Sequence, residues 1–356
     1  MQSFSYLRKH ITMLITFLDK NHIYDGSTIN NKPLDGAEKS VILLAEALAN
    51  IGHIVRVYNN CNQSKVINNV SWNQIKKIDA SHSDVWIAHN DPRLFDLAPS
   101  KNKKILWLTA SGLKLARPEY FIAAMKHKPT IILQGENHIN SIPDGLKSLD
   151  ATMIPSGNNS IYNENEDLFP SVTPKALVTT HPLLGLDWVI DLWTKYIHTK
   201  LPWAELHIYS YSLHKALSGK RVSDIYLPII KLVEDNLSYN IKINLPKIDS
   251  EMIEEIKDIR VHLYPSHSFE VAAFTLAETQ ALGMPAVIRS LGAASEKIYN
   301  GKTGLIADDQ ATFAEYAIRF LSDLSSFKRA NQESKKIHKI RSWNKIAEEF
   351  LQAFKY

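Results

Sequence analysis

The chain has 356 residues, 45% hydrophobic and 22% charged, with a formal net charge of +4. That length exceeds one ordinary core and fits two domains of roughly 150–180 residues each. The composition excludes bulk disorder, and so mild a charge permits an anionic ligand or a membrane surface without demanding nucleic acid.

The single cysteine, Cys61, leaves no intramolecular disulfide and no cysteine-based zinc site. A reducing cytoplasm fits best, and the sequons at Asn62, Asn69, Asn158 and Asn236 then carry no meaning.

The run Ile11 to Leu18 is too short to span a bilayer, which needs about 20 apolar residues, and lacks a signal-peptide cleavage site. It predicts a buried first strand. Met13 is an alternative start, with the first twelve residues a leader. After a polar loop, KNHIYDGSTINNKP, comes LDGAEKSVILLAEALANIGHIVRVYNN. Asp35 and Glu38 have capping-box spacing, so Asp35 is expected to accept from early helix amides. Ala37, Val41, Leu44, Ala45 and Leu48 recur at helical spacing, Gly52 ends the helix, and HIVRVYN is the next strand.

Further strands read as Asp84–Asn90, Lys103–Ala110, Pro129–Gly135 and Asp150–Gly157. Asn163–Lys175 is polar, carries two prolines and reads as a linker. The alternation then restarts with ALVTTH, the helix LDWVIDLWTKYIHTK, AELHIYS, YNIKINLP, VHLYPS, PAVIRS and KTGLIAD. The C-terminal stretch WNKIAEEFLQAFKY is an amphipathic helix with Ile346, Phe350, Leu351 and Phe354 on one face. The expected class is α/β, with two Rossmann-like, doubly wound parallel-sheet domains facing a central cleft. The expected boundaries are residues 1–168 and 169–342, with helix 343–356 packing back on the first domain.

The segment SFEVAAFTLAETQALGMPAVIRSLGAASEKI, residues 268–298, carries the chemistry. VHLYPS reads as a buried strand, HSFEVAAF as the loop at its carboxyl end, and TLAETQAL as a helix stopped by Gly283 and Pro285. A helix start offers free amides and a positive dipole end to an anion. Small side chains at Ala272 and Ala273 let a diphosphate approach. Glu270 and Glu278 cannot grip a phosphate, but as acceptors they suit the hydroxyls of a sugar and a ribose. The predicted ligand is a nucleotide-sugar.

These residues resemble the E-x7-E signature of GT-B glycosyltransferases of family 4, the retaining group 1 type. The matches are Pro265-Ser266, Glu270, Glu278, Gly283, Pro285, Gly292 and Glu296. LDGAEKSVILLAEALANIGHIVRV is similar to the family's Gly-Gly-x-E loop and first helix, MIPSGNN to its I-P-N-G strand end, and GLDWVIDLWTKYIHTKLPWAELHIYS to its K-G-L-D helix and next strand. The resemblance spans nearly the whole chain and is most specific over residues 264–309.

It implies a GT-B fold and metal-independent, retaining transfer of a sugar from a UDP- or GDP-linked donor to a glycan or lipid-linked acceptor, as in polysaccharide or lipopolysaccharide assembly. Glu278 would bind the ribose, and Glu270 would contact the transferred sugar as the catalytic residue. Ala272, the amides of Ala273 and Phe274, and Thr275 would hold the diphosphate, with Gly36 approaching from the first domain and Arg289 and Glu296 completing the donor side. His89 and Thr109 are acceptor- or sugar-side candidates. No cofactor and no metal is expected, and the scattered histidines have no metal-ligand spacing.

Four positions depart from the pattern. Asp35-Gly36 replaces Gly-Gly, Thr109 a frequent histidine, Leu184 a basic residue, and Ala273 the glycine between the glutamates. Losing a buried cation that faces a diphosphate costs roughly 2–5 kcal/mol. Arg289, His181 or Lys247 are candidates to supply that charge.

Two other classes compete: a catalytically degenerate GT-B protein that binds a sugar nucleotide or a partner, and a nucleotide-sugar epimerase. A two-carboxylate glycoside hydrolase has no use for a phosphate cradle. KNKK (Lys101–Lys104) and Gly112–Lys128 form a basic region that is either a solvated face or a peripheral contact with anionic lipid on the inner face of a membrane. Phe121, Ile122 and Met125 are assigned to the core.

Overall fold

In the computed structural model, residues 11–99, 101–164, 168–338 and 341–354 are described. The leader expected ahead of Met13, the middle of the linker and the last two residues of the C-terminal helix fall wholly or partly outside them.

Buried β-branched and aromatic runs form eight strands in the first half. They are β1 (Leu14–Leu18), β2 (Ile54–Asn59), β3 (Lys65–Ile67), β4 (Val70–Gln74), β5 (Val85–His89), β6 (Lys103–Trp107), β7 (Thr130–Leu133) and β8 (Ala151–Met153). Their order is β3-β4-β2-β1-β5-β6-β7-β8, parallel throughout except for the antiparallel β3–β4 pair. That hairpin turns on Asn68 and Asn69, both at positive φ (48° and 64°). Such a two-residue turn matches the twist of the flanking strands.

Helix α1 (Gly36–Asn50) links β1 to β2 and buries Val41, Leu44, Ala45 and Leu48. It ends at Asn50, and Gly52 takes φ +99° just beyond.

The second half builds an all-parallel sheet from β9 (Lys175–Val178), β10 (Glu205–Tyr209), β11 (Ile241–Asn244), β12 (Val261–Tyr264), β13 (Ala286–Ile288) and β14 (Gly304–Ile306). Its order is β11-β10-β9-β12-β13-β14. Two parallel-sheet α/β domains thus stand as the sequence predicted. The chain between them is tied to the second: Phe169 N donates to Lys257 O at 2.8 Å, and Arg260 donates to Ser171 O at 2.7 Å.

The helix Trp343–Ala353 crosses back to the first sheet. Ile346 and Phe350 are fully buried there, and Phe350 meets Trp107 edge-on, ring centroids 5.3 Å apart. Burying one such side chain contributes about 1.5–3 kcal/mol. Both sheets turn the carboxyl ends of their strands toward the gap between them, so His89, Thr109, Glu270 and Gly292 gather there.

Two expectations fail. Ile122 and Met125 are 64% and 38% exposed, so they are surface and not core. Asp35 stands at the N-cap of α1 but its side chain accepts no amide hydrogen. The capping box does not form because Glu38, its other half, pairs with His22.

Candidate active site

The signature helix runs from Phe274 to Ala281, with Ala273 at its N-cap. Ala273 has φ +46°, where the related pattern has glycine. A residue with a Cβ held there costs roughly 1–2 kcal/mol, so the turn is built against resistance. Glu270 supplies the compensation. Its carboxylate accepts from Ala273 N at 3.0 Å, from Ala272 N at 3.4 Å and from the Tyr264 hydroxyl at 2.8 Å, with His267 Nε2 at 3.5 Å. Burial pushes the carboxyl up, but His267, the Ala273 amide and Tyr264 overcome this and hold its pKa at about 2. Glu270 is therefore an ionised acceptor at neutral pH and not a proton donor.

This corrects one expectation about the cradle. The amides of Ala272 and Ala273 are engaged by Glu270 and are not free for a diphosphate. Phe274 and Thr275 head the helix, so their amides have no intrahelical partner. The Thr275 hydroxyl accepts from Thr179 at 2.8 Å, which ties it to the end of β9.

Glu278 faces the first domain. Lys39, in the opening turn of α1, donates to it, and the same ammonium lies 2.9 Å from Asp249. Tyr162 and Asn159 complete the cluster, each bonded to Asp249, at 3.1 and 2.9 Å. Burial and Asp249 push the Glu278 carboxyl up while Lys39 pulls it down; the net direction is up. Burial opposes the Lys39 charge, but Glu278 and Asp249 prevail and raise its pKa. Sequence reasoning missed Lys39, Asp249 and Tyr162. A cation in the opening turn of a helix sits against the dipole, which was the available signal for Lys39.

Gly36 touches the signature helix. A Cβ there would lie 2.2 Å from Cγ of Phe274, so only glycine lets the start of α1 abut the start of that helix. Two positively polarised helix starts thus converge between the sheets.

On the first-domain side, His89 is buried, with Nδ1 3.0 Å from Asp19 and Nε2 2.7 Å from the Thr109 hydroxyl. Asn90 holds Thr109 from both ends, donating to its hydroxyl at 2.9 Å and accepting from its amide at 2.8 Å. Tyr24 donates to Asp19 at 2.6 Å. Burial pushes the Asp19 carboxyl up, but His89, Tyr24 and the Asn21 amide bring it below its ordinary value. His89 and Asn90 help line a cavity of about 310 Å³, with His22, Asp35, Glu38, Ser111 and Lys114 around it. The fold brings three residues that are dispersed in sequence together here: one ligand atom each from His22, Asp35 and Glu38, all within 4.8 Å of one another.

Glu296 turns to the first domain. It accepts from the backbone and side-chain nitrogens of Asn137, both at 2.7 Å, and lies so close to Gly135 that a Cβ there would be 1.8 Å from its oxygen.

Residues 231–337 match the family of glycosyl transferases group 1. The match covers the second half of the second domain. The matched segment contains both signature glutamates, Gly283, Pro285 and Glu296. No curated protein sequence matches the chain. Among solved structures, it is similar to the sucrose-phosphate synthase of Thermosynechococcus elongatus, at 14% identity and TM-score 0.71, covering 96% of this chain and 98% of that one. It is similar to HepE of Anabaena, solved with UDP and glucose, at 13% identity and TM-score 0.67, covering 97% and 100%. It is also similar to WaaG, a glycosyltransferase involved in lipopolysaccharide biosynthesis, at 12% identity and TM-score 0.62, covering 96% and 99%. At such identities the likeness carries the GT-B fold.

Two of the candidate cations for the charge that Leu184 does not carry, Lys247 and His181, have polar partners elsewhere. Lys247 pairs with Glu255. The Arg289 guanidinium lies 4.8 Å from the Trp188 ring centroid, and its buried Nε has no hydrogen-bond partner. His181 is exposed and bonded to the Tyr226 hydroxyl at 3.0 Å. Burial pushes its pKa down, with Asp35 opposing that shift and His267 reinforcing it.

Proposed function

We propose that this protein is a group 1 glycosyltransferase that moves a sugar, with retention, from a UDP- or GDP-linked donor to a glycan or lipid-linked acceptor. The observation that carries this is the meeting of two helix starts at Gly36 and Phe274 beside the ionised Glu270. A diphosphate between them would take the amides of Phe274 and Thr275. Glu270 would accept from hydroxyls of the transferred sugar, and Glu278 from the ribose once Lys39 releases it. The leaving diphosphate would accept the proton of the attacking hydroxyl. Fixed dipoles and positioning would provide most of the rate. The cavity at His89, Asn90, Ser111 and Lys114 is the proposed acceptor side.

The domain assignment follows: residues 1–168 would present the acceptor and 169–342 the donor, with the C-terminal helix closing on the first. HepE, solved with UDP and glucose, supports a UDP-type donor, and WaaG supports a surface-glycan pathway. No helix among the described residues is long and apolar enough to cross a membrane. A peripheral contact is proposed instead at Leu113, Ile122 and Met125, which are exposed beside Lys114, Lys126 and Lys128.

Two observations favour a second reading, a degenerate GT-B binding protein: Glu278 is held by Lys39, and Leu184 stands where the family pattern has a basic residue. Release of free sugar or transfer from a UDP- or GDP-sugar, screened with and without millimolar Mn²⁺, separates the two. Transfer or hydrolysis lost in Glu270→Gln supports the enzyme; binding without turnover supports the degenerate protein.

A further inference from the structure

Where the chain crosses back from the second domain to the first, there is a cavity of about 350 Å³ that the proposed chemistry does not use. Its size is that of a small-molecule site. Ser156 and Asn158 line it from the first domain, and Lys297, Tyr299 and His338 from the second. Arg341, on the crossing itself, and Lys345, in the helix that follows, complete the wall. Glu270, Phe274 and Thr275, which carry the proposed donor chemistry, are not part of it.

The charge in this cavity is unbalanced. Lys297 is half-buried, and its ammonium has no hydrogen-bond or ion-pair partner among the described residues. The exposed Lys345 ammonium likewise has none. Lys345 stands in the first turn of the helix Trp343–Ala353, where the dipole disfavours a cation. Arg341 gives part of its guanidinium to Glu349, at 2.9 Å, and part to Pro155 O, at 2.7 Å. Glu296 is the acid in the wall, and its carboxylate is turned to Asn137. Burial pushes the Lys297 pKa down; Glu296 opposes that shift, Arg341 reinforces it, and the net direction is down. Burial and Lys297 together lower His338 to about 4, so its ring is neutral at pH 7, and its buried Nε2 has no hydrogen-bond partner. Cations that depress one another's ionisation in this way lack the anion that would join them.

We propose that this crossing pocket binds a small phosphate-bearing ligand, a sugar phosphate or free phosphate, and that its occupancy joins the two domains. Lys297 and Lys345 supply two unspent positive charges for the phosphate oxygens. The neutral His338 ring and the Asn158 amide add uncharged donors. The ring of Tyr299, 54% exposed, offers a face to a sugar. Because the walls come from both domains, a bound ligand favours one relation between them over others. The binding stands on the geometry of the pocket; an effect on sugar transfer rests on the proposed function.

The test titrates the full-length protein calorimetrically with glucose 6-phosphate, inorganic phosphate and glucose. At least glucose 6-phosphate or phosphate should bind saturably, and glucose should not. Lys345→Ala, at an exposed position, and Lys297→Met should each weaken that binding by about tenfold or more, the loss of one charged contact, with the fold checked by circular dichroism. Glucose 6-phosphate bound more tightly than phosphate identifies a sugar phosphate as the ligand; phosphate bound as tightly or more tightly identifies the free ion. No saturable binding of either anion, an affinity unchanged in either variant, or glucose bound as tightly as glucose 6-phosphate overturns the pocket. Hydrogen exchange in the bound protein should slow both at residues 156–158 and at residues 297–299; slowing on one side alone overturns the joining of the domains. UDP and GDP are titrated alongside. Anion binding without nucleotide binding supports the pocket and overturns the donor reading, whereas nucleotide binding without anion binding overturns the pocket and leaves the donor reading intact.

Discussion

Lys39 in α1 holds Glu278 in the signature helix across the gap between the two sheets, and shares its charge with Asp249. The cluster is a buried ionic link between the two domains. It sets a price on any ligand that needs the Glu278 carboxylate.

Removing one partner of such a buried cluster leaves uncompensated charge. Lys39→Met should destabilise the protein by about 3–5 kcal/mol in urea unfolding, because Glu278 and Asp249 lose their counter-charge. Adding Glu278→Gln should restore a large part of that loss. A single mutant within about 1 kcal/mol of wild type would show that Lys39 does not carry the link.

Gly36→Ala places a methyl group against the Phe274 ring. It should cost about 1–3 kcal/mol and push the two helix starts apart, lowering nucleotide affinity. Gly36→Ala combined with Phe274→Ala should recover stability. A Gly36→Ala protein with unchanged melting temperature and nucleotide affinity would contradict the contact.

Glu270→Gln keeps an oxygen for the Ala273 amide but loses the charge. The fold should persist, while transfer falls by about a hundredfold, comparable to removing one electrostatic contact to a developing charge. Steady-state rates with a UDP- or GDP-sugar donor check this. An undiminished rate would exclude an ionised carboxylate from the reaction.

Two buried histidines predict the acid limb of stability. His138 bridges Gln134 N and Ala110 O, and burial lowers its pKa from 6.5 to about 4. His262, between Thr179 and Thr279, is lowered by burial to about 3. Both pKa values are depressed on folding, so the unfolded chain binds more protons and stability falls as pH drops below 6.5. The loss continues until the folded values are reached. Each should remove on the order of 2 kcal/mol between pH 7 and 5. Glu270 gives way only below 4.5, toward 2, so the histidines act first. Urea midpoints at pH 7 and 5 read this out, and His138→Gln should flatten the slope.

Much of the frame was legible because buried strands and amphipathic helices leave strong periodicity. β1, α1 and β2, and the run from β12 through the signature helix to β13, follow the sequence reading closely. The hairpin at Asn68–Asn69 was written there too, in a two-residue turn between Ile67 and Val70, but its strands are too short for periodicity to reveal. Ile122 and Met125 fit a helical stripe, and a stripe does not say whether protein or water covers it. The site was less legible than the fold. His22 lies in a loop without periodicity, 16 residues before Glu38, and their pairing broke the local capping pattern at Asp35. Lys39, Asp249 and Tyr162 meet only because two domains close on one another, which no local pattern encodes.

The most direct test of the proposed function is calorimetric titration of the purified protein with UDP, GDP and ADP, in Mn²⁺ and in chelator. The account predicts that UDP or GDP binds saturably and that Glu278→Ala abolishes that binding. Binding unchanged in Glu278→Ala, or no binding of any nucleotide under either condition, would contradict it.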